Sequence, residues 1–151
     1  MAKIAVTEER VFQVAADLER AYAFFSQPKL FQAAMEGVLS CHELGNGQVH
    51  WLLVEQIDQG VRFQPNYVVS FTCDGMQNVQ WTFVGGNMRN EGEVRISPRV
   101  GGGSDIQYRE TVEPDLPITP LLAKLVKPLV TRELRGGLLR FIERSQECLG
   151  S

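Results

Sequence analysis

Glu110 is the residue whose type and setting most invite chemistry. It alternates with Tyr108 and Val112 on one face of an expected strand, opposite Arg109 and Thr111. A carboxylate on an apolar face is costly unless it is hydrogen-bonded or paired, and burial raises its pKa. One reading is a general acid/base or hydrogen-bonding anchor inside a cavity. The other is a slipped register, a bulge near Gly102-Gly103, or a glutamate at a cavity mouth paired with an arginine. Asn90 shares a face with Met88 and Val94. It suits a ligand's carbonyl or hydroxyl, or an unpaired backbone group at a strand edge. Tyr67 and Tyr108 each join an apolar ring to a hydroxyl that needs a partner when buried.

Other chemical signatures are missing. His42 and His50 have no acidic or thiol partner at ligand spacing, so no metal site is expected. Leu52-Leu53-Val54 blurs the alternation beside His50, which leaves its facing open and prevents assembly of a Ser-His-Asp or Cys-His set. Gly101-Gly102-Gly103-Ser104 lacks the lysine and following helix of a phosphate loop. No cofactor is expected.

The elements that must position these groups are mostly strands. From Val38 to Val112 the pattern has period two, punctuated by Gly45-Asn46-Gly47, Asp58-Gln59-Gly60, Asp74-Gly75, Gly85-Gly86-Asn87 and Gly101 to Ser104. Val61, Phe63, Pro65, Tyr67, Val69, Phe71 and Cys73 fall on one face of an expected long strand, with Pro65 marking a bulge or an edge. Val79, Trp81 and Phe83 point inward on the next. Short turns make successive strands antiparallel neighbours. A first strand, Lys3 to Val14, precedes two short helices, one capped by Asp17 and one opened by Pro28.

Thr119 to Cys148 reads as one long helix, capped by Thr119 and started by Pro120. Apolar residues recur from Leu121 to Ile142 at helical spacing, over roughly 45 Å. No second helix is long enough to partner it, so its apolar side is expected on the sheet. Pro128 predicts a bend and Gly136-Gly137 a thin point, whether for a ligand or for close packing against a twisted sheet.

Composition narrows the function classes. The 151 residues, 44% of them hydrophobic, fit a single domain spanning 1–151. A net charge of -3 argues against nucleic-acid binding, although six Lys and Arg gather on the last helix, read as a solvated face. Three scattered cysteines, no basic-then-apolar leader and no apolar run of membrane length point to a cytoplasmic protein without stable membrane insertion.

This order of elements resembles the helix-grip fold of the START-like superfamily, which includes polyketide cyclases/dehydrases, birch-pollen-allergen-like proteins and coenzyme Q-binding proteins. The carriers are Val79-Gln80-Trp81 with Asn87 and Gly92, the Gly101 to Ser104 turn before Tyr108, and Leu116-Pro117-Ile118 entering the helix. The resemblance implies an α+β architecture: six to seven curved antiparallel strands wrapped around the long helix, with a cavity between. It implies a hydrophobic or amphipathic small molecule (lipid, quinone or polyketide-like) as the partner. Phe63, Tyr67, Phe71, Trp81, Phe83, Tyr108, Leu122, Leu125 and Leu129 are the expected lining, with Glu110 and Asn90 orienting the ligand. Two alternatives stay open: a cyclase or dehydratase with Glu110 moving protons, and an assembly module with a filled core.

Overall fold

The computed structural model describes residues 2–58 and 60–150; Gln59, placed in an expected turn, lies outside them. The chain opens with β1 (Ala2–Lys3) and β2 (Val6–Val14). Next come α1 (Leu18–Ser26), α2 (Pro28–Phe31) and a 3-10 turn at Gln32–Ala34. Eight strands follow: β3 (Val38–Gly45), β4 (Gln48–Leu53), β5 (Gln56–Asp58), β6 (Val61–Phe63), β7 (Asn66–Cys73), β8 (Asn78–Gly86), β9 (Met88–Pro98) and β10 (Ser104–Leu116). The chain ends in α3 (Pro120–Leu149).

Among the described residues the main sheet has eight antiparallel strands in the order β1-β10-β9-β8-β7-β4-β3, with β2 also on β10. The first strand counts twice because it breaks before Val6, with both pieces on β10. Alternation holds along β10, where every second residue from Ser104 to Leu116 is buried. The buried face carries the core, closed by α1, α2 and the C-terminal half of α3.

The expected strand from Val61 to Cys73 is instead two strands. Pro65 has no N–H to give a ladder, and its carbonyl accepts from Leu53 N at 3.0 Å. Gln64 turns its amide to the Leu53 carbonyl at 3.1 Å. The residues before the break, β6, pair only with β5 in a separate two-stranded hairpin. That hairpin packs beneath α3, with Val61 and Phe63 grouped with Val130 and Leu134.

Helix ends follow the capping residues. Asp17 Oδ1 accepts from Arg20 N at 2.9 Å, and Thr119 Oγ1 from Leu122 N at 3.2 Å. The helix passes through Pro128 without a break in its span. Its buried residues are Val126, Leu138, Phe141, Ile142, Ser145 and Leu149, so burial is concentrated after Pro128. The far end is tied to the β2–α1 connection by Ala15 N to Gly150 O and Ala16 N to Leu149 O, at 2.7 and 2.8 Å.

Ser104 completes that tie. Its fully buried hydroxyl donates to the Ala16 carbonyl at 2.8 Å. Ser104→Ala leaves the acceptor without its partner, and about 1–3 kcal/mol of unfolding free energy is expected to be lost in a urea titration.

Candidate functional site

A cavity of about 210 Å³ lies between the sheet, the short helices, the β5–β6 hairpin and α3. Its sheet wall is Trp51, Tyr67, Val69, Phe71, Trp81, Met88, Asn90, Glu110 and Val112. Phe31 from α2 stands at the centre of the aromatic lining. Its ring centroid is 4.8 Å from Phe141, 5.3 Å from Trp81, 5.7 Å from Phe71 and 6.3 Å from Trp51. Leu134, Gly137, Leu138 and Phe141 of α3 form the roof. Exposed Gln56, Glu133 and the Glu36–Arg140 ion pair mark the rim.

One polar cluster interrupts this apolar wall. Glu110, 7% exposed, accepts a short hydrogen bond from the Tyr108 hydroxyl. Asn90, equally buried, lies within hydrogen-bonding reach of the same carboxyl. The direction of that contact follows from Trp81. Its indole Nε1–H, a donor only, meets Asn90 Oδ1 at 2.8 Å, which leaves the Asn90 NH2 to face Glu110.

A vacancy in the next strand makes the Trp81–Asn90 contact possible. Trp81 is opposite Gly92, and Gly92 is opposite Glu110. The indole lies where a Gly92 side chain would be: a Cβ there would fall 2.5 Å from Trp81 Cε2 and 2.8 Å from the Arg109 carbonyl oxygen.

Burial dominates the electrostatics. It raises the Glu110 carboxyl from its ordinary range to about 7, against the lowering effect of its hydrogen bonds from Tyr108 and Asn90. Burial, reinforced by the nearby Glu110 charge, also lifts the phenols of Tyr67 and Tyr108, so both are neutral donors at physiological pH. Glu8 sits beside this cluster, opposite Glu110 on β2 and equally buried. Its carboxylate is held by Arg10 at 2.5 Å and by Arg135 of α3 at 3.2 Å. A protonated Glu110 can donate to a ligand oxygen; an ionised one can take a proton from it.

Of the residues singled out from sequence, Phe63, Tyr67, Phe71, Trp81, Asn90 and Glu110 line the cavity. Tyr108 lies behind it, its ring 5.7 Å from Phe141 and its hydroxyl on Glu110. Phe83 is half-buried farther along β8 and outside the lining. Leu122, Leu125 and Leu129 are corrected: they stand on the half of α3 before the roof, with Leu122 and Leu125 exposed. His50 points away from the core, its Nε2 2.6 Å from Asn66 Oδ1. Sequence reasoning missed Phe31, Trp51, Met88, Phe141 and Glu8. Two of these left a usable trace: Met88 shares its face with Asn90, and Glu8 shares parity with Val6 and Phe12.

No protein-family model matches the sequence, and a search of curated proteins finds no relative. Solved structures do resemble it. A protein of Thermus thermophilus is 18% identical with a TM-score of 0.70, over 96% of each chain. A START superfamily protein from Mycobacterium smegmatis is 14% identical with a TM-score of 0.70, over 95% of this chain and 96% of that one. The di-domain ARO/CYC BexL from the BE-7585A biosynthetic pathway is 14% identical with a TM-score of 0.60, over 98% of this chain and 51% of BexL. At these identities the likeness is one of fold.

Proposed function

We propose that this chain, which has the START-like helix-grip fold, binds a small, uncharged, largely apolar molecule that carries one polar oxygen. The observation that carries this reading is a buried acid at the wall of an otherwise aromatic cavity. Size selects among the ligand classes. A cavity of about 150 Å³ accepts benzene, and drug-sized ligands use about 300–1,000 Å³. At about 210 Å³ the space suits one or two rings, such as a simple quinone or aromatic ketone, rather than a sterol or long acyl chain.

Burying about 200 Å² of apolar ligand surface contributes roughly 5 kcal/mol before the costs of association. A hydrogen bond from neutral Glu110 or Tyr67 to a ligand carbonyl adds orientation. Anionic ligands are disfavoured: among the described residues no cationic side chain is buried in the lining, and the rim cation Arg140 is paired with Glu36.

Both tryptophans of the chain, Trp51 and Trp81, line the cavity, so intrinsic emission reports its occupancy. Titration with fatty acids, quinones and polyaromatics is expected to change that emission for one- and two-ring compounds and not for long-chain acids. Calorimetry and emission that detect none of the panel would refute the reading.

A second reading uses the same site as a catalyst. A carboxyl that exchanges its proton near pH 7 beside a bound carbonyl is suited to general acid/base work, as in a cyclase or dehydratase. Turnover that vanishes in Glu110→Gln while ligand affinity persists would favour it over simple carriage.

A further inference from the structure

The N-terminal half of α3 presents a face that no other element covers. Leu121 and Leu125 are 71% and 72% exposed, and Leu122 is exposed beside them. At about 100° per residue, Leu121, Leu125 and Arg132 fall within about 40° of one another, with Lys124 about 60° to one side of Leu121 and Lys127 farther round, off the stripe. None of the ion pairs among the described residues engages Lys124, Lys127 or Arg132. In a chain of net charge -3, this stripe is both cationic and apolar.

That combination decides between occupants. In a symmetric dimer the patch would meet itself, which brings two cationic patches together with no acidic residue between Leu121 and Arg132 to offset them. A phosphate polymer would engage the cations and leave the leucines in water. A protein groove that takes a helix reads apolar anchors at i, i+3, i+4 and i+7, and from Leu121 two of these are Lys124 and Pro128. An anionic lipid surface meets both demands, with cations among the headgroups and leucines at the acyl boundary. Among the described residues no helix is long and apolar enough to cross a membrane, so the contact is interfacial.

We propose that the half of α3 before the cavity roof seats the protein reversibly on an anionic membrane surface through Leu121, Leu125, Lys124 and Arg132. The β5–β6 hairpin packs under the same stretch and carries Ile57, itself exposed. The hairpin meets the helix through Val130 and Leu134, on the side turned from Leu121 and Leu125, so seating leaves that contact in place. The seating does not depend on what the cavity binds.

Cosedimentation with phosphatidylcholine vesicles, with and without about 30% phosphatidylserine, tests this. The protein is expected to bind the phosphatidylserine vesicles at about 50 mM salt and to lose at least about tenfold in affinity at about 500 mM. Leu121→Ser with Leu125→Ser, and Lys124→Gln with Arg132→Gln, are each expected to lose at least about tenfold. Thermal unfolding and tryptophan emission should stay as in the wild type, because these side chains are exposed. Three results would overturn the proposal: no binding of the wild type to phosphatidylserine vesicles, either variant binding as the wild type does, or a dimer that the leucine variant disperses.

Discussion

Glu110→Gln is expected to remove most of the loss of stability that the protein suffers between about pH 5 and pH 8. In the folded chain the carboxyl holds its proton up to about pH 7, while in the unfolded chain it releases it near the ordinary value of 4.5. Between those values the native state binds one proton more than the unfolded state. Linkage then makes unfolding easier as pH rises. Below about pH 4.5 both states are protonated and the group contributes nothing. Above about pH 7 both are ionised, and the folded state carries the full cost of a buried charge. A displacement from 4.5 to about 7 corresponds to something on the order of 3 kcal/mol.

Glutamine keeps the shape and the capacity to accept from Tyr108 but never ionises. The variant should match the wild type at about pH 4.5 and exceed it by up to about 3 kcal/mol at pH 8, in urea titrations run across the range. A constant difference at every pH would mean that Glu110 is not the titrating group. The same variant separates carriage from catalysis, since binding that survives the loss of the proton leaves only turnover to fail.

The inward setting of Glu110 was legible because antiparallel strands with tight turns keep side-chain parity over long stretches. Tyr108 to Val112, Met88 to Ile96 and Val79 to Phe83 alternate cleanly, and parity alone puts Trp81, Asn90 and Glu110 on one side. Parity says nothing about position along a strand. Phe83 and Tyr108 therefore share the correct face and still fall outside the cavity lining. Trp51 was hidden by the run Leu52-Leu53-Val54, and Phe31 by a helix of four residues, too short for any period to show.

The long helix was legible as an element and misleading as a surface. Its apolar spacing runs almost without interruption from Leu121 to Ile142, and periodicity cannot tell which turns overhang the sheet. Burial concentrated after Pro128 comes from the reach of the sheet beneath, a tertiary fact. Of the two glycines, Gly137 lines the cavity, whereas a Cβ on Gly136 would meet only the guanidinium of Arg140 on the same helix, at 3.1 Å, and no sheet backbone.

Gly92→Ala should be among the most damaging single-atom additions in the protein. The backbone there is not in the left-handed region, so the difficulty is one of space. The new methyl would overlap the Trp81 indole on one side and sit 2.8 Å from the Arg109 carbonyl oxygen on the other. Backbone held in two ladders cannot retreat, so the indole must move. Overpacking of this kind costs about 1–3 kcal/mol. Moving the indole also breaks its bond to Asn90, which frees the amide to rotate and removes the donor aimed at Glu110. A total loss of about 3–4 kcal/mol is expected in urea unfolding, together with altered near-ultraviolet dichroism and loss of ligand-induced tryptophan emission changes. Gly85→Ala is the matched control on β8, since a Cβ there meets nothing within 4 Å and should shift stability by no more than about 0.5 kcal/mol. Equal effects at the two glycines would show that strand flexibility, and not the space reserved for Trp81, is what Gly92 provides.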